Sequence, residues 1–194
     1  TPIHVDMKKL ILLLTLSVSV FALQAQIVPI YSWAGKVGGT GNEYGDYMTS
    51  DGSGNIYVTG RFDGTCDFDP GAGTANKTSA GSSDIYIAKY SPSGKLIWAI
   101  STGGTGLDRG YCLDVDANGN IWVTGIGGAA KRDAVSGQWQ RHRITNSSQI
   151  DYWVNDISID DQGNVWMTGN AGPGVGGIQM FDGTRWTGFN ESTY

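Results

Sequence analysis

One motif occurs three times in this chain and narrows its possible folds more than any other feature. It reads Asp, two residues, Gly-Asn, aliphatic, aromatic, aliphatic or Met, Thr-Gly, at Asp51 to Gly60, Asp116 to Gly125 and Asp160 to Gly169. The first two copies lie inside a longer duplication, in which Trp33 to Gly60 recurs at a constant offset as Trp98 to Gly125. Each copy places a short β-type run behind a turn signal. A unit of this length, rich in Gly, Trp and Tyr and repeated in tandem, buries its sheet faces by stacking on its neighbours.

No period of 3.6 survives beyond the N-terminal apolar segment, whereas runs of four to eight β-branched and aromatic residues bounded by Gly, Asn, Asp and Ser recur throughout. The chain should be all β. Thirty glycines and only 16% charged residues accompany 40% hydrophobic residues, so the glycines belong to turns of a globular fold rather than to a disordered linker. Ile56-Tyr57-Val58 and Ile85-Tyr86-Ile87 are apolar on both faces, which fits sheets stacked face to face. The expected architecture is a partial β-propeller of about three four-stranded antiparallel blades plus one orphan outer strand. The orphan strand falls at 27–37, blade one at 46–102, blade two at 110–145 and blade three at 153–190.

Within each motif, Gly54, Gly119 or Gly163 supplies the positive φ of a tight hairpin, and Asp51, Asp116 or Asp160 supplies a side chain that bonds its own backbone. Oxygens at Asp116, Asn118 and Asn120 invite a calcium reading. An EF-hand-type loop needs Gly at its sixth position, and here that residue is Ile121. A turn is the expected role.

Residues 1–25 read as a few upstream residues and a secretory signal: Met7-Lys8-Lys9, then the apolar run Leu10 to Leu23, with Ala25 the last residue removed. That run is too short for a stable membrane span. The expected location is secreted, extracellular or cell surface, with the periplasm as the other option. The net charge is −5 and the basic residues are scattered, so nucleic acid is not an expected partner. Export permits a disulfide, but the repeat does not impose a pairing of Cys66 with Cys112, and two free thiols are expected.

Reactive constellations are scarce. Beyond the signal the only histidine is His142, which excludes any mechanism needing two imidazoles. There is no Gly-x-Ser-x-Gly elbow, phosphate loop or Cys-x-x-Cys pair. Gly38-Gly39-Thr40-Gly41 and Gly103-Gly104-Thr105-Gly106 look like phosphate cradles but precede no helix, and read as loops joining blades. Asp63, Asp67 and Asp69, between strands two and three of blade one, form the one candidate metal set, for Ca²⁺; the competing reading is a solvated loop. Trp33 and Trp98, like Trp139 and Trp186, occupy matching positions and read as packing rather than as a stacking platform for ligands.

Several segments resemble the bacterial β-propeller repeat family labelled SBBP. They are Trp33-Ala34, Gly38 to Asn42, Asp51 to Gly60, Asp67-Phe68-Asp69-Pro70-Gly71, Ser83 to Tyr90 and Gly94 to Trp98, and the resemblance continues through Gly125. Downstream, Val154 to Gly169 with Gly176-Gly177 and Phe181 to Trp186 is similar to the two-component regulator propeller repeat. The resemblance implies an exported binding or architectural role and transfers no catalytic residue. The expected function is an exported, non-catalytic β-propeller repeat protein that binds extracellular protein or glycan at the cell surface, as a fragment of a longer protein. The alternative is the extracytoplasmic sensor portion of a two-component regulator. A further alternative, a propeller lyase of the streptogramin type, needs an imidazole base and a divalent metal at the channel mouth, and His142 is expected on an outer strand. Three blades do not close a ring, so completion by further C-terminal blades or by self-association is expected.

Overall fold

Period-two patterning between Gly- and Asp-centred turns dictates hairpins, and hairpins are what form. The computed structural model describes residues 33–125, 128–142, 153–170 and 177–189, and within them every regular element is a strand. The strands are β1 (Gly38–Gly39), β2 (Glu43–Ser50), β3 (Ile56–Phe62), β4 (Thr65–Asp67), β5 (Asn76–Thr78), β6 (Asp84–Tyr90) and β7 (Leu96–Thr102). After these come β8 (Gly110–Val115), β9 (Ile121–Gly125), β10 (Gly128–Arg132), β11 (Trp139–His142), β12 (Trp153–Ile159), β13 (Val165–Asn170), β14 (Gly177–Phe181) and β15 (Trp186–Phe189). They pair into four antiparallel sheets. Sheet 1 is β2-β3-β6-β7, sheet 2 is β8-β9-β10-β11 and sheet 3 is β12-β13-β14-β15; a small cover sheet has the order β1-β4-β5.

The first strands share an irregularity. The ladder to the second strand shifts register between Gly45 and Tyr47 in sheet 1, between Gly110 and Cys112 in sheet 2, and between Val154 and Asp156 in sheet 3. These are equivalent positions of the repeat. A bulge bends its strand and re-aims the side chains beside it.

Alternation along each strand sends neighbouring residues into different cores. In sheet 2, Leu113, Ile121 and Val123 join Tyr57 and Ile87 of sheet 1 in one core. Cys112, Trp122 and Ala129 join Val154, Ile157, Val165 and Met167 of sheet 3 in another. Sheet 2 is therefore buried on both faces, as its doubly apolar strands require. Its first strand β8 lies against β2 and β3, and β12 lies in turn against β8 and β9.

The other face of sheet 1 carries Phe62, Tyr86, Ala88 and Tyr90, and the segment between β3 and β6 folds down over it. Cys66 and Phe68 from that segment are fully buried there, and burying a Phe side chain contributes roughly 1.5–3 kcal/mol. This segment was expected to be loop; instead Thr65–Asp67 and Asn76–Thr78 form strands of the cover sheet. Of the orphan outer strand expected at 27–37, residues 27–32 lie outside the described residues and 33–37 carry no strand. Gly38–Gly39, just beyond, pairs with β4 because Gly39 alone tolerates the approach; an added Cβ would lie 1.7 Å from the Thr65 carbonyl oxygen. The signal segment 1–25, and the ends of blades two and three at 143–145 and 190, lie outside the described residues.

Candidate binding face

The sheets have two unlike ends. At one end sit the hairpin turns, where the repeated Asp side chains bond their own backbone. Asp51, Asp116 and Asp160 each accept backbone N–H groups two and four residues on, and the Asn side-chain amide four residues on. Gly54, Gly119 and Gly163 take φ of 76°, 79° and 84°. Tyr57 donates its hydroxyl to Asp51 at 3.2 Å, and Trp166 donates its indole N–H to Asp160 at 2.8 Å. These donors hold the Asp160 carboxyl at about 2, with Trp166 the largest contributor. Burial pushes the Asp51 carboxyl up, but the Asn55 side chain and backbone, Lys89 and Ser53 outweigh it and the net shift is down. Asp182, bonded by the Thr184 hydroxyl and by backbone N–H groups, is likewise held at about 2. The three Asp carboxylates of the motif are spent closing their own turns.

At the other end run the connections between sheets and the cover segment. The three candidate metal ligands lie in this segment, and the structure does not bring them together. Asp63 accepts from the Asn42 backbone N–H, a short contact, and from its amide at 3.1 Å. Asp67 accepts from Ala75 and Asp69 N–H groups at 2.8 and 3.0 Å, while Asp69 accepts from Gly71 N–H at 2.8 Å. Asp67 and Asp69 thus shape their own turns, while Asp63 ties the segment to Asn42. Hydrogen bonding lowers the Asp63 and Asp67 carboxyls, mainly from Asn42 and from Ala75 respectively. Among the described residues no group of three or more His, Cys, Asp or Glu side chains is placed to hold a metal ion.

A different cluster occupies this end, along the edge made by the first strands. Arg109 makes a two-pronged ion pair with Asp46, at 3.1 and 2.5 Å, that ties sheet 2 to sheet 1. Its guanidinium also lies 5.1 Å from the Tyr111 ring centroid, and Arg61 lies 4.4 Å from that of Tyr44. Tyr44 and Tyr47 stay 47% and 40% exposed. Guanidinium stacked on phenol offers hydrogen-bond donors beside flat apolar surface, a combination suited to sugars and to polar peptide surfaces. The residue reading missed this cluster. The duplication carried a partial signal, since Tyr44 matches Arg109 and Asp46 matches Tyr111, two of several changes of chemistry between the first strands of the two copies.

The reactive-looking groups lie elsewhere. Both cysteines are free and buried. Burial first, and then the carboxylate of Glu43 for Cys66 or of Asp156 for Cys112, pushes each thiol up to about 12. His142 ends β11, the fourth strand of its sheet, with ring centroids of Trp122, Phe181 and Trp186 at 4.5, 5.1 and 6.2 Å. Burial, then Lys131, lowers its pKa. It is an interior packing residue, away from the first-strand edge. Of the four repeated tryptophans, Trp98 packs edge-on to Tyr57 and Trp186 stacks on Phe181, while Trp33 and Trp139 are 36% and 38% exposed. Trp33 borders an open cleft of about 500 Å³ with residues 69–72 and 93–96. No helix among the described residues is long and apolar enough to cross a membrane.

No family model matches the chain, and no curated protein matches it. Among the solved structures that align with it are two of the extracellular domain of one protein from B. thetaiotaomicron, described once as a hybrid two-component system and once as a one-component system. The first is 14% identical over 76% of this chain, with a TM-score of 0.44; the second is 17% identical over 62%, with a TM-score of 0.34. The chain spans 22% and 19% of the length of those two chains.

Proposed function

We propose that the described sheets are blades of an exported β-propeller of the SBBP repeat type, and that the chain is a non-catalytic binding module for extracellular protein or glycan. Equivalent residues support the blade reading. Ile121 and Val165, matching positions of the motif, each turn toward the preceding sheet, and all three first strands bulge at the same place. The exposed Tyr44 with Arg61 over its ring, beside exposed Tyr47, carries the binding reading, because the repeated Asp residues at the other end are spent on their own turns. A glycan array probed with the full chain and with a Tyr44→Ala, Arg61→Ala double variant tests it. Binding that the double variant loses is expected, and binding that it retains in full overturns the assignment of the face.

The resemblance of Val154 to Trp186 to the regulator repeat favours a second reading, in which the same face belongs to the extracytoplasmic sensor of a signalling protein. Coding sequence for a membrane span and a kinase downstream of Tyr194 would select it.

A further inference from the structure

Trp33 lies at the turn end of sheet 1, against the β6–β7 hairpin, and is fixed there from two sides. Its indole N–H donates to the Pro92 carbonyl at 3.1 Å. Gly94, buried in that hairpin at φ 78°, lies beneath the ring, where an added Cβ would sit 2.4 Å from Cδ2 and 2.6 Å from Cε3. Backbone therefore closes one face of the indole, and the 36% of Trp33 that stays exposed belongs to its edge and opposite face. Its repeat equivalent is spent differently. Trp98 meets Tyr57 edge-on, and the Arg132 guanidinium lies 5.3 Å from its ring centroid. An aromatic face held open and rigid is a stacking platform rather than core.

The ring borders the open cleft of about 500 Å³, a size within the roughly 300–1,000 Å³ of ligand sites. The tip of the cover segment forms another wall, brought close because Gly35 has no side chain: an added Cβ there would lie 2.7 Å from Pro70 Cβ. Asp69 and Lys95 line the same space. Asp69 gives Oδ1 to the Gly71 N–H at 2.8 Å, and no hydrogen bond or ion pair among the described residues engages its Oδ2. Lys95 is exposed and takes part in none of the ion pairs of the described residues. An acceptor and a donor of opposite charge beside an aromatic face disfavour a ligand of strong net charge of either sign. They suit a neutral polyhydroxyl ring, whose C–H face stacks on indole while its hydroxyls both donate and accept.

Sheet 2 repeats the arrangement at the hairpin between its own last two strands. A cleft of about 210 Å³ there is lined by Trp139, 38% exposed, with Lys131, Asp133 and Ser136. Asp133 again commits Oδ1 to its own turn, accepting from the Val135 and Ser136 N–H groups and from the Ser136 hydroxyl. Two clefts of the same chemistry on hairpins of successive sheets fit a ligand that repeats along its length. We infer that Trp33, Asp69 and Lys95 form a subsite for a neutral polysaccharide, with Trp139, Asp133 and Lys131 as a second contact for a longer chain. The subsite lies at the turn end, apart from the edge of Tyr44 and Arg61, and does not rest on the reading of that edge.

The full chain is titrated by calorimetry with neutral hexasaccharides of cellulose, xylan, mannan and chitin, and with decaproline. Binding of at least one hexasaccharide is expected, weakened at least about tenfold by Trp33→Ala and less by Trp33→Phe. Lys95 is exposed, so Lys95→Ala, expected to weaken binding about threefold, keeps the test decisive if Trp33→Ala fails to fold. No heat with any hexasaccharide overturns the subsite, as does undiminished affinity in folded Trp33→Ala or, where that variant does not fold, in Lys95→Ala. Binding of decaproline in place of sugar assigns the indole to a peptide and overturns it too. Hexasaccharide binding that falls in the Tyr44→Ala, Arg61→Ala double variant but not in Trp33→Ala places the glycan at the other edge, which overturns the cleft and leaves the proposed binding face standing.

Discussion

The Cys112 thiol donates to the Asp156 carboxylate across 3.0 Å, and these two residues hold the same place in the first strands of successive sheets. Tyr47, the matching residue of sheet 1, has its hydroxyl pushed up first by Cys112 and then by burial. Three different side chains at one repeat position therefore form a line across three sheets. Contact between repeat equivalents is what stacking by a common rotation produces, and identical residues there would have been three like charges or three competing thiols.

With both thiols near 12, about one in ten thousand is thiolate at pH 8. Iodoacetamide is expected to leave Cys66 and Cys112 unmodified in the folded chain and to label both in denaturant, read by intact mass. Rapid labelling of the native chain would contradict their burial.

Asp116→Ala removes an acceptor from Asn118 N–H, Asn120 N–H and the Asn120 amide. A loss of about 1–2 kcal/mol is expected in urea unfolding. Gly119→Ala forces a Cβ onto φ 79° and should cost about 1 kcal/mol. The two changes act on one turn, so their double variant should lose less than the sum.

Asp160 and Asp182 have folded-state values of about 2, below the ordinary 3.8. Depressed carboxyls stabilise the fold above their unfolded value, and this contribution is lost as pH falls from near 4 through 2. Melting midpoints should therefore drop steeply in that window. Asp160→Asn should flatten part of the drop.

His142 is the opposite titration. Its folded pKa lies below 6.5, set by burial among Trp122, Phe181 and Trp186 and by nearby Lys131. The neutral ring is the one the fold accepts, so stability is complete above pH 6.5 and declines as pH falls below it. His142→Phe should abolish the decline between pH 6.5 and 5 while keeping the midpoint at pH 8. A decline that persists in this variant would assign it to other groups.

The strands of the three large sheets were legible because their signal is local: a positive-φ Gly, an Asp that caps its own turn, and alternation between them. The cover sheet was not. Thr65–Asp67 and Asn76–Thr78 are three-residue strands whose pairing to Gly38–Gly39 depends on long-range contact and on Phe68 finding the free face of sheet 1. The Asp63, Asp67 and Asp69 cluster misled for a related reason. Closeness in sequence says nothing about which backbone N–H groups will claim each carboxylate. Arg109 and Asp46 are separated in sequence and meet only because one sheet docks on the next.

Phe68 and Cys66 lie over the outer face of sheet 1, whereas Ile178 on sheet 3 stays 47% exposed. The three repeats are thus unequal in their protection despite their shared sequence. Amide deuterium uptake should reach β14 first, β6 later and β9 last, a gradient along the array that no single repeat encodes.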